Sequence, residues 1–391
     1  MNEIKKLYVS KFIYGFGCMA SYTFILFFLK SGLTQIQIAS LFSIFFVANM
    51  ILEIPTGGFA DLYGHKASFA LGLIIESFYY LIFVLYPTYN GFVIGMIIAA
   101  LGLSFQSGAN DSLTYEIMNK LNKKDEYLKT SGRISAMMSI AVIIAAPIGT
   151  MIYKYSPNTP YFISFALVLI SGLVVSLVKY NHINTDYSRD NYFNQIKTGI
   201  VLVLKNTKLK ALFLIGFVGL MSSYVFGENI GTPLQLRMGI DIGLFGVVQS
   251  LIAVGYLLVN YFSYKLASKI GDINTIILSL GITFISLITL SRINYYYGVG
   301  FIVVFFMSHG LRINVLDNLQ QKEATSSQRS TIASAGSMLK SLGTAMVLPL
   351  WGLMLDRSGI NTTLIVLSCT VLFIGLLGVS IYKYSYSKIL S

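Results

Sequence analysis

The segment GGFADLYGHK, residues 57–66, is a short turn between two long apolar stretches. Glycines at positions 57, 58 and 64 allow two helix ends to reverse direction within a few residues. Asp61 stands where a carboxylate can meet the positive end of a helix dipole. The flanking stretches, roughly residues 36–56 and 67–86, each reach the ~20 apolar residues that a membrane-crossing helix needs. The segment therefore predicts two membrane helices joined by a tight polar turn.

About twelve apolar stretches of this length recur along the 391 residues, with short polar breaks between them. Hydrophobic residues make up 55% of the chain and charged residues only 11%, whereas a soluble domain usually carries about 25% charged residues. The mean hydropathy of +0.71 agrees with this composition. These values exclude an ordinary soluble protein and predict an all-α membrane protein, with twelve transmembrane helices in two six-helix halves.

The longest polar interval lies near the middle of the chain and predicts the division into halves. We expect an N-terminal six-helix half at residues 1–180, a cytoplasmic linker at 181–209 and a C-terminal six-helix half at 210–391. Lys and Arg are about four times as frequent in loops on the side of the N-terminus as in the opposite loops. Because basic residues are enriched in cytoplasmic loops, we expect a multi-pass protein of the cytoplasmic (inner) cell membrane with both termini cytoplasmic. The net charge of +12 then reflects orientation and contact with the lipid bilayer, not nucleic-acid binding.

The two halves contain similar sequence features at matching places. The turn at residues 57–66 has a weaker counterpart, YKLASKIG, at residues 264–271. Predicted helices 5 and 11 each begin just after an arginine and carry a proline followed closely by a glycine: Arg133, Pro147 and Gly149 in one, Arg329, Pro349 and Gly352 in the other. Such internal repeats are typical of secondary transporters, whose substrate site lies between the repeats near the middle of the membrane.

With this arrangement around it, the turn resembles the loop between helices 2 and 3 of the major facilitator superfamily, whose pattern is Gly-x-x-x-Asp-x-x-Gly-Arg-Lys/Arg. Gly57, Asp61, Gly64 and Lys66 match four positions, and His65 replaces the usual arginine. The resemblance covers the whole chain and implies the major facilitator fold. It also implies a gating role for these four residues, because the loop locks one half against the other in the outward-open state of the family.

Two further stretches resemble bacterial efflux-type members of the family: residues 53–57 at the end of predicted helix 2 and residues 105–116 at the end of predicted helix 4. Two features depart from the family's drug exporters. The arginine that those exporters often carry on helix 4 is replaced by Ser104, and their glycine-rich helix 5 stretch is matched only at Pro147 and Gly149. The antiporter signature is therefore partial.

Among the ionisable residues inside predicted helices, where a charge costs about 2.5–3.5 kcal/mol and needs a partner or a function, we single out four. Glu76 and Lys340 each lie ~14 Å into their helices, near the middle of the membrane. Arg312 lies on helix 10 and Glu228 near the outer end of helix 7. We take these four as candidates for a substrate or proton site. Helix 3 is usually peripheral in the family, so for Glu76 a hydrogen bond to a neighbouring helix is preferred over coupling.

Positive charge on Lys340 and Arg312 would favour an anionic or zwitterionic substrate group, unless an acid neutralises it. The alternative for these residues is an internal ion pair that only supports packing. Further charged residues lie at the predicted cytoplasmic helix ends, where ion pairs that hold the halves closed are preferred over substrate contact. These candidate inner-gate charges are Glu53, Asp111, Glu116, Arg133, Asp317 and Arg329.

Other chemistry is not indicated by the sequence. It contains no catalytic constellation, no spacing of metal ligands and no nucleotide-binding loop ending in Gly-Lys-Ser/Thr. We therefore expect a transporter and no enzyme, without cofactor or metal, that takes its energy from an ion gradient and acts as a monomer. The preferred function is proton-coupled efflux of a small amphipathic compound or drug by an antiporter. The alternative is symport-type import of an anionic or zwitterionic metabolite.

Overall fold

The computed structural model describes residues 3–180, 198–323 and 329–390, without the side chains of residues 329, 330, 333 and 387–390. Its elements within those ranges are all helical. In chain order the first ten are α1 (Glu3–Lys30), α2 (Gln35–Tyr63), α3 (His65–Leu85), α4 (Tyr89–Lys120), α5 (Lys124–Tyr155), α6 (Thr159–Ser176), α7 (Thr207–Arg237), α8 (Ile242–Ile270), α9 (Asp272–Leu290) and α10 (Tyr296–Glu323). Each is long and apolar enough to cross a membrane.

The last helical stretch, Arg329–Leu390, provides two spans. Gly359 interrupts it with non-helical angles, φ 74° and ψ 174°, so α11 precedes Gly359 and α12 follows it. Its apolar part, Ser334–Tyr386, is 53 residues long, more than twice the ~20 residues that one crossing needs. The predicted all-α membrane fold is thereby confirmed, and the helix count agrees with twelve.

Glycine conformation supports the predicted internal repeat. Gly64 joins α2 to α3 with φ 90° and ψ 151°, and Gly271 joins α8 to α9 with φ 88° and ψ 151°. A residue with a Cβ is strained at such positive φ values, so the turn depends on glycine at both places. The two loops that resemble each other in sequence therefore turn in the same way.

Two helices contain irregular turns that the sequence does not predict. In α4 the helix is interrupted at Ser107 and Gly108, where Gly108 has a left-handed φ of 71°. In α7 the segment Val225–Ile230 forms a π-helical turn. π-helical turns are rare inside α-helices, and many of those that occur lie at functional sites. The α7 turn is therefore a candidate for part of a functional site.

The chain forms two compact units. Unit 1 comprises Met1–Leu33, Ile44–Arg189 and Asp241–Ser250, and unit 2 comprises Thr34–Ser43, Asp190–Ile240 and Leu251–Ser391. In unit 1, α3 packs against α4 and α6, and α1 packs against α5 and α6. In unit 2, α7 packs against α10 and the last helical stretch, and α9 packs against α10. The first residues of α2 belong to unit 2 and those of α8 to unit 1. The predicted borders at residues 180 and 210 stay a prediction, and residues 181–197 of the linker lie outside the described ranges.

Candidate functional site

The α2–α3 turn places the four motif residues at one end of unit 1. Gly57 and Asp61 lie in the last two turns of α2, and Gly64 is the N-cap of α3. A Cβ at position 57 would meet open space, so nothing in the structure packs against Gly57. His65, in the position of the family's arginine, has its Nδ1 2.7 Å from Oε1 of Glu116 on α4. This contact ties the motif to α4.

Among the described residues, the contacts found for the candidate inner-gate acids are with a histidine and with neutral side chains. Glu116 pairs with His65, and Glu53 accepts a hydrogen bond of 3.3 Å from the Ser107 hydroxyl. Asp111 accepts a hydrogen bond from its neighbour Asn110. Within the described ranges, Arg133 and Asp317 are exposed and take part in no ion pair, and the side chain of Arg329 lies outside those ranges. The gating role of these residues therefore stays a prediction.

Glu76 lies on α3 inside unit 1 and is 8% exposed. Tyr14 of α1 donates its hydroxyl to Oε1 of Glu76 at 3.0 Å. Gln106 of α4 donates its amide to Oε2 of Glu76 and also to the carbonyl of Gly102. The carboxyl group thus links three helices, as the preference for a hydrogen bond to a neighbouring helix anticipates.

Aromatic side chains on α1 also serve the packing of unit 1. Phe24 stacks near Tyr161 with ring centroids 5.9 Å apart, and it meets Phe83 edge-on at 5.4 Å. Phe27 lies 4.6 Å from the same Tyr161 ring. Edge-to-face and tilted rings at these distances are favourable packing arrangements. These phenylalanines are therefore part of the apolar core of the unit.

Arg312 lies on α10 inside unit 2 and is fully buried. Its Nη1 donates to the hydroxyl of Thr283 on α9 at 3.1 Å, and its Nη2 is 3.5 Å from Nδ1 of His309. A Cβ at Gly219 of α7 would lie 3.0 Å from Nε of Arg312, a nitrogen with no hydrogen-bond partner among the described residues. The guanidinium is enclosed by neutral groups, so it is poorly placed to meet an anion from a cavity.

Lys340 lies half-buried on α11. Its Nζ is 5.8 Å from the centre of the Phe213 ring on α7, and its Cδ is 3.1 Å from where a Cβ at Gly216 would be. The side chain has no ion-pair partner in the part of the chain that the structure describes. Asp317 acts on this ammonium electrostatically without an ion pair, and the role of Lys340 in binding an anionic group stays a prediction.

Glu228 lies in the π-helical turn of α7 and is half-buried. The preceding residue, Gly227, faces Phe306 of α10, whose ring is 3.8 Å from where a Cβ would be. Phe226, two residues before Glu228, lies 4.7 Å from Phe305 and 5.7 Å from Phe306 between ring centres. Within residues 3–180, 198–323 and 329–390, no side chain forms a hydrogen bond or ion pair with the Glu228 carboxyl. Glu228 is therefore a partly accessible acid beside a cluster of aromatic rings.

Sequence reasoning did not identify the neutral partners of these charges. Tyr14 and Gln106 around Glu76, and Thr283 beside Arg312, come from other helices and carry no motif. Ser104, which replaces the exporters' arginine, accepts a hydrogen bond of 3.0 Å from Asn49 of α2 and donates to the carbonyl of Ala100. This serine therefore joins α2 to α4 and offers no proton-binding group.

A comparison with models of protein families finds one that matches residues 7–347, that of the Major Facilitator Superfamily. A comparison with curated protein sequences finds no match.

Solved structures with the same fold include several transporters. The nucleoside transporter NupG superposes with a TM-score of 0.82 at 13% identity, over 98% of this chain and 100% of that one. A bacterial homologue of the human lysosomal transporter Spinster gives a TM-score of 0.76 at 11% identity, over 98% of this chain and 96% of that one. A bacterial homologue of the iron transporter ferroportin gives a TM-score of 0.73 at 13% identity, over 97% of this chain and 98% of that one. At these identities the likeness is one of fold.

Proposed function

Because the chain belongs to the major facilitator superfamily, we propose that it exports a small amphipathic compound in exchange for protons. It is a secondary transporter of a small molecule and no enzyme, and it crosses the membrane several times. The proposal adds the direction of transport, the coupling ion, a monomeric state and a place in the cytoplasmic membrane with both termini inside.

The observation that carries this proposal is the environment of Glu228. A half-buried carboxyl without a protein partner must be either protonated or solvated at this depth in a membrane helix. Such a group can take up a proton when water reaches it and lose that proton when its surroundings change. Phe226 and Phe305 are fully buried beside this turn, and the half-buried Phe306 ring, which packs against both, is the aromatic side chain of this cluster that suits contact with an amphipathic ligand.

Two other charged groups bear on the direction of transport. Arg312 is enclosed by Thr283 and His309, which weakens the case for an anionic substrate at this residue. Lys340 is the specific observation in favour of the second candidate function, import of an anionic or zwitterionic metabolite by symport, because it is half-buried and forms no ion pair among the described residues, although Asp317 acts on it electrostatically. Glu76 is bound by neutral donors and supports neither function.

The test is a transport assay in proteoliposomes with an imposed pH gradient, applied in both directions. Ethidium serves as an amphipathic probe, and uridine serves because a nucleoside transporter shares the fold. Wild-type protein should accumulate ethidium against its gradient only when protons flow the opposite way. Glu228→Gln should lose this accumulation but retain ethidium exchange without a gradient, since the uncharged amide keeps the size of the side chain.

Glu126→Gln is the matched control, because Glu126 is exposed and lies in the first turn of α5. Normal proton-driven accumulation by Glu228→Gln would refute the role of Glu228. Uptake of uridine together with protons, without ethidium transport, would favour the importer.

A further inference from the structure

The junction of α11 and α12 repeats the spacing of the motif that joins α2 to α3. Residues 352–359 read GLMLDRSG, so Gly352, Asp356 and Gly359 have the same spacing as Gly57, Asp61 and Gly64. Gly359 also turns the chain with a positive φ of 74°. The two motifs are related in sequence and in the turn that they form.

Asp356 binds the first turn of α2. Its Oδ1 accepts a hydrogen bond from the backbone N–H of Gln35 at 3.0 Å, and its Oδ2 accepts one from the N–H of Ile36 at 2.9 Å. A carboxylate at this position satisfies two N–H groups that have no partner in their own helix, and it meets the positive end of the helix dipole. These contacts lie within unit 2, which includes Thr34–Ser43.

Gly352 brings α11 close enough for this contact. It lies one helical turn before Asp356 and therefore on the same face of α11. A Cβ at position 352 would lie 2.6 Å from the carbonyl oxygen of Gln35 and 2.8 Å from Cβ of Ala39. Any larger residue would push the start of α2 away, so Gly352 and Asp356 stabilise the same approach of the two helices.

The start of α2 is also capped by its own residues, so part of its capping does not depend on α11. Gln37 accepts a hydrogen bond from the N–H of Thr34 at 3.0 Å, and the Thr34 hydroxyl accepts one from the N–H of Gln37 at 3.4 Å. This capping box serves the N–H groups that Asp356 does not reach. If Asp356 moves away, only two N–H groups at an exposed helix end must turn to water.

A comparable contact is found in unit 1 at the start of α8. Asp241 accepts a hydrogen bond from the N–H of Gly243 at 2.8 Å and pairs with Lys154 of α5 at 2.7 Å. The Lys154 ammonium and the Gly243 N–H hold the pKa of the Asp241 carboxyl below its usual value. Gly246 allows the close approach, since a Cβ there would lie 2.0 Å from the carbonyl oxygen of Ala146. An aspartate and a glycine thus accompany the first turn of both helices.

We propose that Gly352 and Asp356 form a latch that holds the first turn of α2 against α11 and that releases during the transport cycle. The latch lies at the opposite end of α2 from the Gly57–Lys66 turn, so the related motifs act on the two ends of this helix. In the latched state Asp356 caps α2, and in the released state α2 relies on its capping box. The proposal is independent of the substrate, the direction of transport and the coupling ion.

The test measures exposure of Ala39, which is fully buried beneath the contact. An Ala39→Cys variant in a background without Cys18 and Cys369 is reacted with a polar thiol reagent in lipid nanodiscs. Asp356→Ala should raise the labelling rate about tenfold, the factor that corresponds to about 1.4 kcal/mol. Gly352→Ala should raise it as well, since it separates the helices by steric contact and leaves the carboxylate in place.

Two controls separate release of the latch from general loosening of the protein. Gly300→Ala adds a methyl group in open space, so it should leave the labelling rate unchanged. A reporter cysteine at Ala345, 3% exposed on α11, should react slowly in every variant. Unchanged labelling of position 39 in both latch variants would overturn the proposal, and so would an equal increase at position 345.

Discussion

Glu76 is expected to stabilise unit 1 without carrying protons, and its hydrogen bonds allow the two roles to be separated. Glu76→Leu removes the acceptor for Tyr14 and Gln106 and strands both donors in the interior of the unit. A stranded buried donor costs about 1–3 kcal/mol in soluble proteins, whereas side-chain hydrogen bonds between membrane helices average only about 0.6 kcal/mol.

For Gln106 the cost should be near the lower value of about 0.6 kcal/mol, because its amide also donates to the carbonyl of Gly102 at 3.2 Å. The Tyr14 hydroxyl also lies within hydrogen-bonding reach of the Cys18 sulfur, but sulfur is a weak acceptor, so the higher range applies to Tyr14. We therefore expect Glu76→Leu to lower the free energy of unfolding by about 1.5–3.5 kcal/mol. Glu76→Gln should cost much less, since an amide can accept from Gln106 and donate to Tyr14.

The assay is reversible unfolding by SDS in mixed micelles, combined with proton-driven transport of the same variants. Adding Tyr14→Phe and Gln106→Leu to Glu76→Leu removes the stranded donors and should recover most of the lost stability, since apolar groups of similar shape then replace the whole network. Normal stability together with loss of proton-driven transport in Glu76→Gln would refute this reasoning and place Glu76 on the proton path.

Three further predictions concern the Gly57–Lys66 turn, Lys340 and the orientation of the chain in the membrane. Asp61→Asn should reduce transport strongly in proteoliposomes while expression stays near normal, and wild-type turnover would remove the motif from the mechanism. Lys340→Ala should weaken binding of an anionic ligand roughly ten- to hundred-fold if it binds substrate, with part of the affinity kept in Lys340→Arg. Because no acid pairs with Lys340 in the described residues, a lower melting temperature with unchanged affinity would contradict that role. Reporter proteins fused at Ser391 and within residues 184–194 should both be found on the cytoplasmic side of the membrane. A reporter on the opposite side at either place would contradict the proposed orientation.

The helices could be predicted from the sequence because their cause is local. A stretch of apolar residues long enough to cross a bilayer satisfies its backbone only as a helix, and glycines such as Gly64, Gly271 and Gly359 mark where one helix turns into the next. The π-helical turn of α7 was not predicted, because Val225–Ile230 continues an apolar stretch without any breaking signal. Phe226 in this turn packs against Phe305 and Phe306 of α10, which are distant in sequence and give no local signal.

The role of a membrane charge could not be predicted from its depth, since the deciding neighbours come from other helices. Arg312 and Lys340 look alike in sequence, as single basic residues within apolar helices. Thr283 and His309 contact the fully buried Arg312, whereas Lys340 lies half-buried against Phe213, and Asp317 acts on it electrostatically without forming an ion pair. Burying a guanidinium among neutral groups is costly unless hydrogen bonds compensate, and a structural role would explain why that cost is tolerated on α10. Lys340 is only half-buried, so of these two residues it is the one for which substrate binding stays a prediction.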